Sequence, residues 1–197
     1  MNQVVTPGKT NIHHELIVAG FGGQGVLKLG LTLAEAAMHE GSEVVWIPAY
    51  GPETRGGPSF CTVIIDAEPI GAPVIALADT AIIMDQPSLD KYQQRVRPGG
   101  RIIINSSLVD PARVRTDVDS YALDANRYAD EIGDPRVGNM VMLGAFLHLL
   151  PLVALETVIT SLSEALSKRN RHLLPLNQQA LAAGAAHLET LRLVPSE

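Results

Sequence analysis

The first half of the chain alternates short apolar runs of strand length with longer stretches whose apolar positions recur at helical spacing. Strands are read at 16–19, 44–47, 59–65, 80–84, 101–105 and 120–123, and helices at 26–40, 74–78, 89–96, 124–132, 140–149, 155–167 and 173–189. After Glu15 the run to Ala19 is wholly apolar, the pattern of a strand covered on both faces. Val26, Leu29, Leu33, Ala36 and Ala37 then mark one buried helical face, which Gly41 ends as a C′ residue.

The strand at 59–65 follows the second strand too closely for a crossover helix, so it is expected to run antiparallel to a neighbour. Pro98-Gly99-Gly100 is a turn feeding the strand at 101–105. From Met140 onward the pattern is helical and rich in Ala and Leu. The apolar stretch 140–155 is broken by His148 and Pro151 and falls short of the ~20 residues a bilayer needs; it reads as a buried helix, with part of its face a candidate subunit contact. The expected fold is α/β: a three-layer, Rossmann-like, mixed but mostly parallel sheet with helices on both faces and a helical C-terminal part. Residues 1–14 are expected to form a flexible arm, 15–190 a single domain and 191–197 a tail.

Composition narrows the function. A chain of 197 residues, 46% hydrophobic, supports one substantial core. A net charge of -6, no basic run and 4% aromatic residues argue against nucleic acid and membrane surfaces as partners. Cys61 is the only cysteine, so there is no intrachain disulfide and no Cys-rich metal or cluster site; it is expected to pack as a small hydrophobe. His13 and His14 fall before the first strand and are expected to be solvated, and the other histidines lack metal-ligand spacing. The polar start 1–11, with Pro7-Gly8, does not resemble a signal peptide, so a cytoplasmic location is expected.

Two glycine-rich segments carry the candidate chemistry. In the first, Gly20, Gly22, Gly23 and Gly25 lie between the first strand and helix, where free N–H groups and the helix dipole favour a phosphate or carboxylate. Gly22, Gly23, Gln24 and Gly25 are therefore candidate ligands of an anion. The Gly-x-Gly-x-x-Gly spacing suggests a dinucleotide, but that site also wants an acidic residue at the end of the second strand, where Ile47-Pro48-Ala49 stands; Glu43 is at the wrong end. A P-loop is excluded because Val26 and Leu27 stand where Lys and Ser/Thr would hold phosphate and magnesium. Anion binding and a purely structural turn both remain open.

The second segment gathers Tyr50, Gly51, Pro52, Glu53, Arg55, Gly56, Gly57 and Ser59 in a loop leaving the same end of the sheet. Gly56-Gly57 permits close backbone approach, Arg55 can clamp a carboxylate or phosphate, and Tyr50 offers a flat contact surface. A wide hairpin with solvated charges is the alternative.

Taken together, Gly22–Val26 and Tyr50–Gly57 resemble the gamma subunit of 2-oxoacid:ferredoxin oxidoreductases, as do 66–70, Asp85-Gln86-Pro87-Ser88-Leu89-Asp90-Lys91 and Gly138-Asn139-Met140-Val141-Met142-Leu143-Gly144-Ala145. The likeness runs from about Glu15 to Ala186 and is nearest the 2-oxoglutarate branch, then the branched-chain and pyruvate enzymes. It implies oxidative decarboxylation of a 2-oxoacid with coenzyme A to acyl-CoA, carbon dioxide and reduced ferredoxin. It also implies alpha and beta partner subunits, a ferredoxin-like delta subunit in some members, and thiamine diphosphate, Mg2+ and iron–sulfur clusters held by those partners. No catalytic residue and no metal ligand is expected on this chain. The loop 50–59 is expected to edge the active site against alpha and beta, and the glycine turn to take a coenzyme A phosphate. A stand-alone nicotinamide oxidoreductase and a non-catalytic scaffold are the competing classes.

Overall fold

The computed structural model describes residues 12–51, 56–166 and 168–187. The chain runs β1 (His13–Phe21), α1 (Val26–His39), β2 (Glu43–Tyr50), β3 (Pro58–Asp66), β4 (Ala78–Ile83), α2 (Gln86–Tyr92), β5 (Val96–Asn105), β6 (Asp119–Leu123), α3 (Ala125–Ile132), α4 (Gly138–Leu149), α5 (Leu155–Ala165) and α6 (Leu174–His187). Six strands form one sheet in the order β2-β3-β1-β4-β5-β6. β1, β4, β5 and β6 pair in parallel, whereas β3 is antiparallel to both β1 and β2. The mixed, mostly parallel sheet and the reversed strand at 59–65 match the sequence reading, because the short link after β2 leaves only a hairpin return.

Alternation along the strands sends residues to two cores. Leu16 and Val18 of β1 face the cluster built with α1, α3, α4, α5 and α6. Ile17 and Ala19 face the other side, where Leu89 and Tyr92 of α2 and the irregular segments after β3 and β5 cover the sheet. α4 is buried nearly all round. Its surface meets α6 and the sheet inside this chain, so it is not the subunit contact considered from its apolarity. A Cβ on Gly144 would clash with the Leu181 carbonyl, its carbon only 2.7 Å away, and one on Gly184 would clash with the Val141 carbonyl oxygen. The two helices therefore touch backbone to backbone.

Four local expectations change. Pro98-Gly99-Gly100, read as a turn before the strand, lies within β5, with Gly99 at a φ of 71°. Residues 74–78 form no helix; Val74 and Ile75 follow Pro73 without regular secondary structure, Ile75 is buried in the second core, and its carbonyl accepts a 2.8 Å bond from Arg95 Nη2. Five residues gain too few internal bonds to nucleate a helix against those tertiary contacts. α2 starts at Gln86, not 89, because the Asp85 carboxylate caps it by accepting the Ser88 N–H at 2.9 Å. His13 and His14 belong to β1, paired with Asp66 and Ile65. His13 is exposed beside Asp66, but His14 is 7% exposed, 5.9 Å from the Phe146 ring. Desolvation holds its pKa down to about 4. Of the expected N-terminal arm, residues 1–11 lie outside the described residues, as does the tail 191–197.

Candidate functional site

At the carboxyl end of β1 the glycine turn is fastened on three sides. Gln24 folds back so that its Oε1 accepts the Phe21 N–H at 2.9 Å while its Nε2 donates to the Met84 carbonyl at 3.0 Å, just beyond β4. Asn139, near the start of α4, donates from Nδ2 to the Gly25 carbonyl at 3.1 Å. The Gly22 N–H donates to the Gly57 carbonyl at 2.8 Å, tying the turn to the loop that precedes β3.

Gly20 and Gly25 make room for different neighbours. A Cβ on Gly20 would collide with Gln24 Oε1 and sit 2.8 Å from Met84 Cβ. One on Gly25 would collide with the Asn139 amide, 2.8 Å from its Cγ, whereas one on Gly22 would only touch Gly56 N at 3.4 Å. Gly23 meets nothing within 4 Å, but its φ of 110°, like the 76° of Gly25, lies where side chains are strained.

The turn and the second glycine segment share one cleft of about 670 Å³. Its walls include Gly22, Gly23, Gly25 and Lys28 on one side and Tyr50, Gly51, Gly56, Gly57 and Ser59 on the other. Gly51 N–H donates to the Pro58 carbonyl at 2.9 Å, which closes the β2–β3 mouth. Tyr50 is 77% exposed and Phe21 37%, so the rim is apolar and open to contact. In the wall, Ser59 is 6% exposed and its hydroxyl has no hydrogen-bond partner among the described residues. The N–H groups of Gly23 and Gly25 make no hydrogen bond among the described residues, and Lys28 makes no ion pair there. Free backbone donors at the start of a 14-residue helix, an ammonium and a hydroxyl together suit an anionic group.

The sequence-predicted residues are thus brought together, with exceptions. Gln24, grouped with the anion-facing glycines, is absent from the cleft wall because both ends of its amide are engaged elsewhere. Pro52, Glu53 and Arg55 lie outside the described residues. Glu43 pairs with Asp66 at the end of β2 opposite the cleft, where Tyr50 pairs with Ser59. Cys61 is fully buried, and desolvation pushes its thiol up to about 12, which makes it a poor thiolate ligand. Among the described residues no group of three or more His, Cys, Asp or Glu side chains gathers as a metal site. None of the described helices is long and apolar enough to cross a membrane.

Residues 15–187 match the family described as pyruvate ferredoxin/flavodoxin oxidoreductase. The chain belongs to this family. Among curated relatives, the ketoisovalerate oxidoreductase subunit VorA of Methanothermobacter marburgensis is 42% identical over 132 residues, 67% of this chain but 27% of that protein. The 2-oxoglutarate synthase subunit KorC of Methanocaldococcus jannaschii is 34% identical over 163 residues, 81% of this chain and 87% of that protein. The chain therefore spans about a quarter of VorA and most of KorC. Among solved structures, the gamma subunit of a keto/oxoacid ferredoxin oxidoreductase from Geobacter sulfurreducens superposes with a TM-score of 0.79 at 26% identity, covering 92% of this chain and 99% of that one. The 2-oxoglutarate:ferredoxin oxidoreductase of Magnetococcus marinus shares the fold with a TM-score of 0.83 at 22% identity, over 96% of this chain and 32% of that one.

Within this pyruvate ferredoxin/flavodoxin oxidoreductase domain, the sequence offers Asn139 only as part of the family-like stretch 138–145, and gives no role at the turn to Lys28 or Met84. Lys28 falls within the first turn of α1, three residues after Gly25, a position that a search for cations behind the glycine turn would have found. Asn139 is 114 residues from Gly25, and only the packing of α4 beside α1 joins them. The Asp85–Lys91 motif proves structural in part: Asp85 caps α2, Gln86 Oε1 accepts the Asp110 N–H at 2.9 Å, and Leu89 is buried.

Proposed function

We propose that this chain is the gamma subunit of a thiamine-diphosphate-dependent 2-oxoacid:ferredoxin oxidoreductase. The enzyme converts a 2-oxoacid and coenzyme A to acyl-CoA, carbon dioxide and reduced ferredoxin. The single observation that carries the chain's own part is the joining of the two glycine segments, Gly22 N–H to Gly57 carbonyl, into one cleft with an open apolar rim. The rim, Phe21 and Tyr50, docks on the catalytic alpha and beta chains, and the cleft takes a coenzyme A phosphate on the Gly23 and Gly25 N–H groups, Lys28 and Ser59. Docking is supported by relatives that carry the matching segment inside a much longer chain, since covalent linkage of two surfaces is favoured where they already work in contact. The KorC likeness, which extends over most of both chains, supports 2-oxoglutarate as the 2-oxoacid. Thiamine diphosphate, Mg2+ and iron–sulfur clusters belong on the partner chains, in keeping with one buried cysteine here. A ferredoxin-like delta subunit and a cytoplasmic setting complete the proposal.

The test is Lys28→Ala in the purified complex. A phosphate contact at a partly exposed lysine predicts a rise in the KM for coenzyme A of about five- to tenfold with kcat little changed. Unchanged KM at full assembly would remove the anion reading and leave a docking scaffold. Calorimetry of the chain with NADH tests the dinucleotide alternative, for which no binding is expected.

A further inference from the structure

In an open α/β sheet the ligand crevice lies outside the carboxyl ends of the two strands where the order reverses. Here those strands are β1, whose connection leads through α1 toward β2, and β4, whose connection leads through α2 to β5 on the other side. The space between their ends is bridged by Gln24: Phe21 N–H to Oε1 on the β1 side, Nε2 to the Met84 carbonyl on the β4 side. Met84 N–H in turn donates to the Ala19 carbonyl at 2.8 Å, and the missing Cβ of Gly20 is the room the Gln24 amide occupies. The glycine that a dinucleotide fold keeps for its own tight turn here accommodates a side chain.

We infer that Gln24 is a positioning residue. By bridging the ends of β1 and β4 it closes the crevice where a dinucleotide fold seats its pyrophosphate, and it holds Gly23 and Gly25 in the cleft wall beside Lys28, where the anionic group is taken. This rests on the anion reading of the cleft proposed above. Contact with the anion thus depends on two hydrogen bonds made on the far side of the turn.

Two variants in the purified complex test it. Gln24→Met keeps the side-chain volume and loses both hydrogen bonds. Gln24→Glu keeps the shape and the acceptor for Phe21 N–H but sets a carboxylate oxygen against the Met84 carbonyl. Each is expected to raise the KM for coenzyme A about tenfold, with kcat and subunit assembly within about twofold of the parent. A purely structural role would lower assembly or kcat and leave KM alone. If Lys28→Ala raises KM and both Gln24 variants do not, this inference is overturned while the anion site stands. If none of the three moves KM, the anion reading falls and this inference with it. Should one Gln24 variant fail to assemble, the other decides; failure of both marks a purely structural role and overturns this inference.

Discussion

His14 makes the stability of this fold depend on mild acid. Its ring is buried among sheet and α4 residues, its Nε2 has no hydrogen-bond partner, and Nδ1 is 3.7 Å from Asp79, whose carboxylate is already engaged by the Glu15 N–H at 2.7 Å and Arg97 at 3.0 Å. Desolvation lowers its pKa from 6.5 to about 4, with Asp79 opposing and Arg101 and Arg97 adding to the shift. The unfolded chain therefore takes up this proton first as pH falls. The stabilisation is complete above the unfolded value of 6.5 and is lost progressively as pH falls toward 4. Integrating that window gives a loss of about 2 kcal/mol between pH 7.5 and 5 and about 3 kcal/mol by pH 4. His13 has the opposite sign, because its bond to Asp66 raises its pKa and its contribution fades as pH rises; its exposure keeps that contribution small. Urea unfolding of the full chain at pH 7.5 and 5, beside His14→Leu, measures the effect. The variant is expected to lose about 2 kcal/mol less over that interval. Equal losses in the two proteins, or no loss in the parent, would rule out His14 as the source of the acid sensitivity.

Gly144→Ala forces a methyl into the Leu181 backbone and should destabilise by about 3 kcal/mol or more, lowering the melting midpoint by roughly 6–12 °C in calorimetry. Asn105, fully buried, accepts the Ala125 N–H at 3.1 Å and donates to Asn126 at 3.0 Å; Asn105→Ala should cost about 2 kcal/mol by urea titration and leave the KM for coenzyme A unchanged. Cys61 should resist iodoacetamide at pH 8 in the native chain and react only after unfolding, as mass spectrometry of the intact protein would show.

Local sequence determined much of this protein. An uninterrupted apolar strand requires cover on both faces, so 16–19 announced a layered α/β sheet, and the short link before β3 announced the reversal of 59–65. Glycine spacing marked the strand–turn–helix, and the paired segments marked the family. Only tertiary structure decided what the glycines are for. The same Gly-x-Gly-x-x-Gly spacing admits a pyrophosphate or an amide side chain, and the choice depends on whether a residue of the turn can reach a carbonyl beyond β4 and whether α4 brings Asn139 to Gly25. Those contacts join positions 60 and 114 residues apart, beyond the range of any local pattern. His14 shows the same limit, since its place before the apolar run suggested solvent while the register of β1 against β3 and the position of Phe146 placed it in the core.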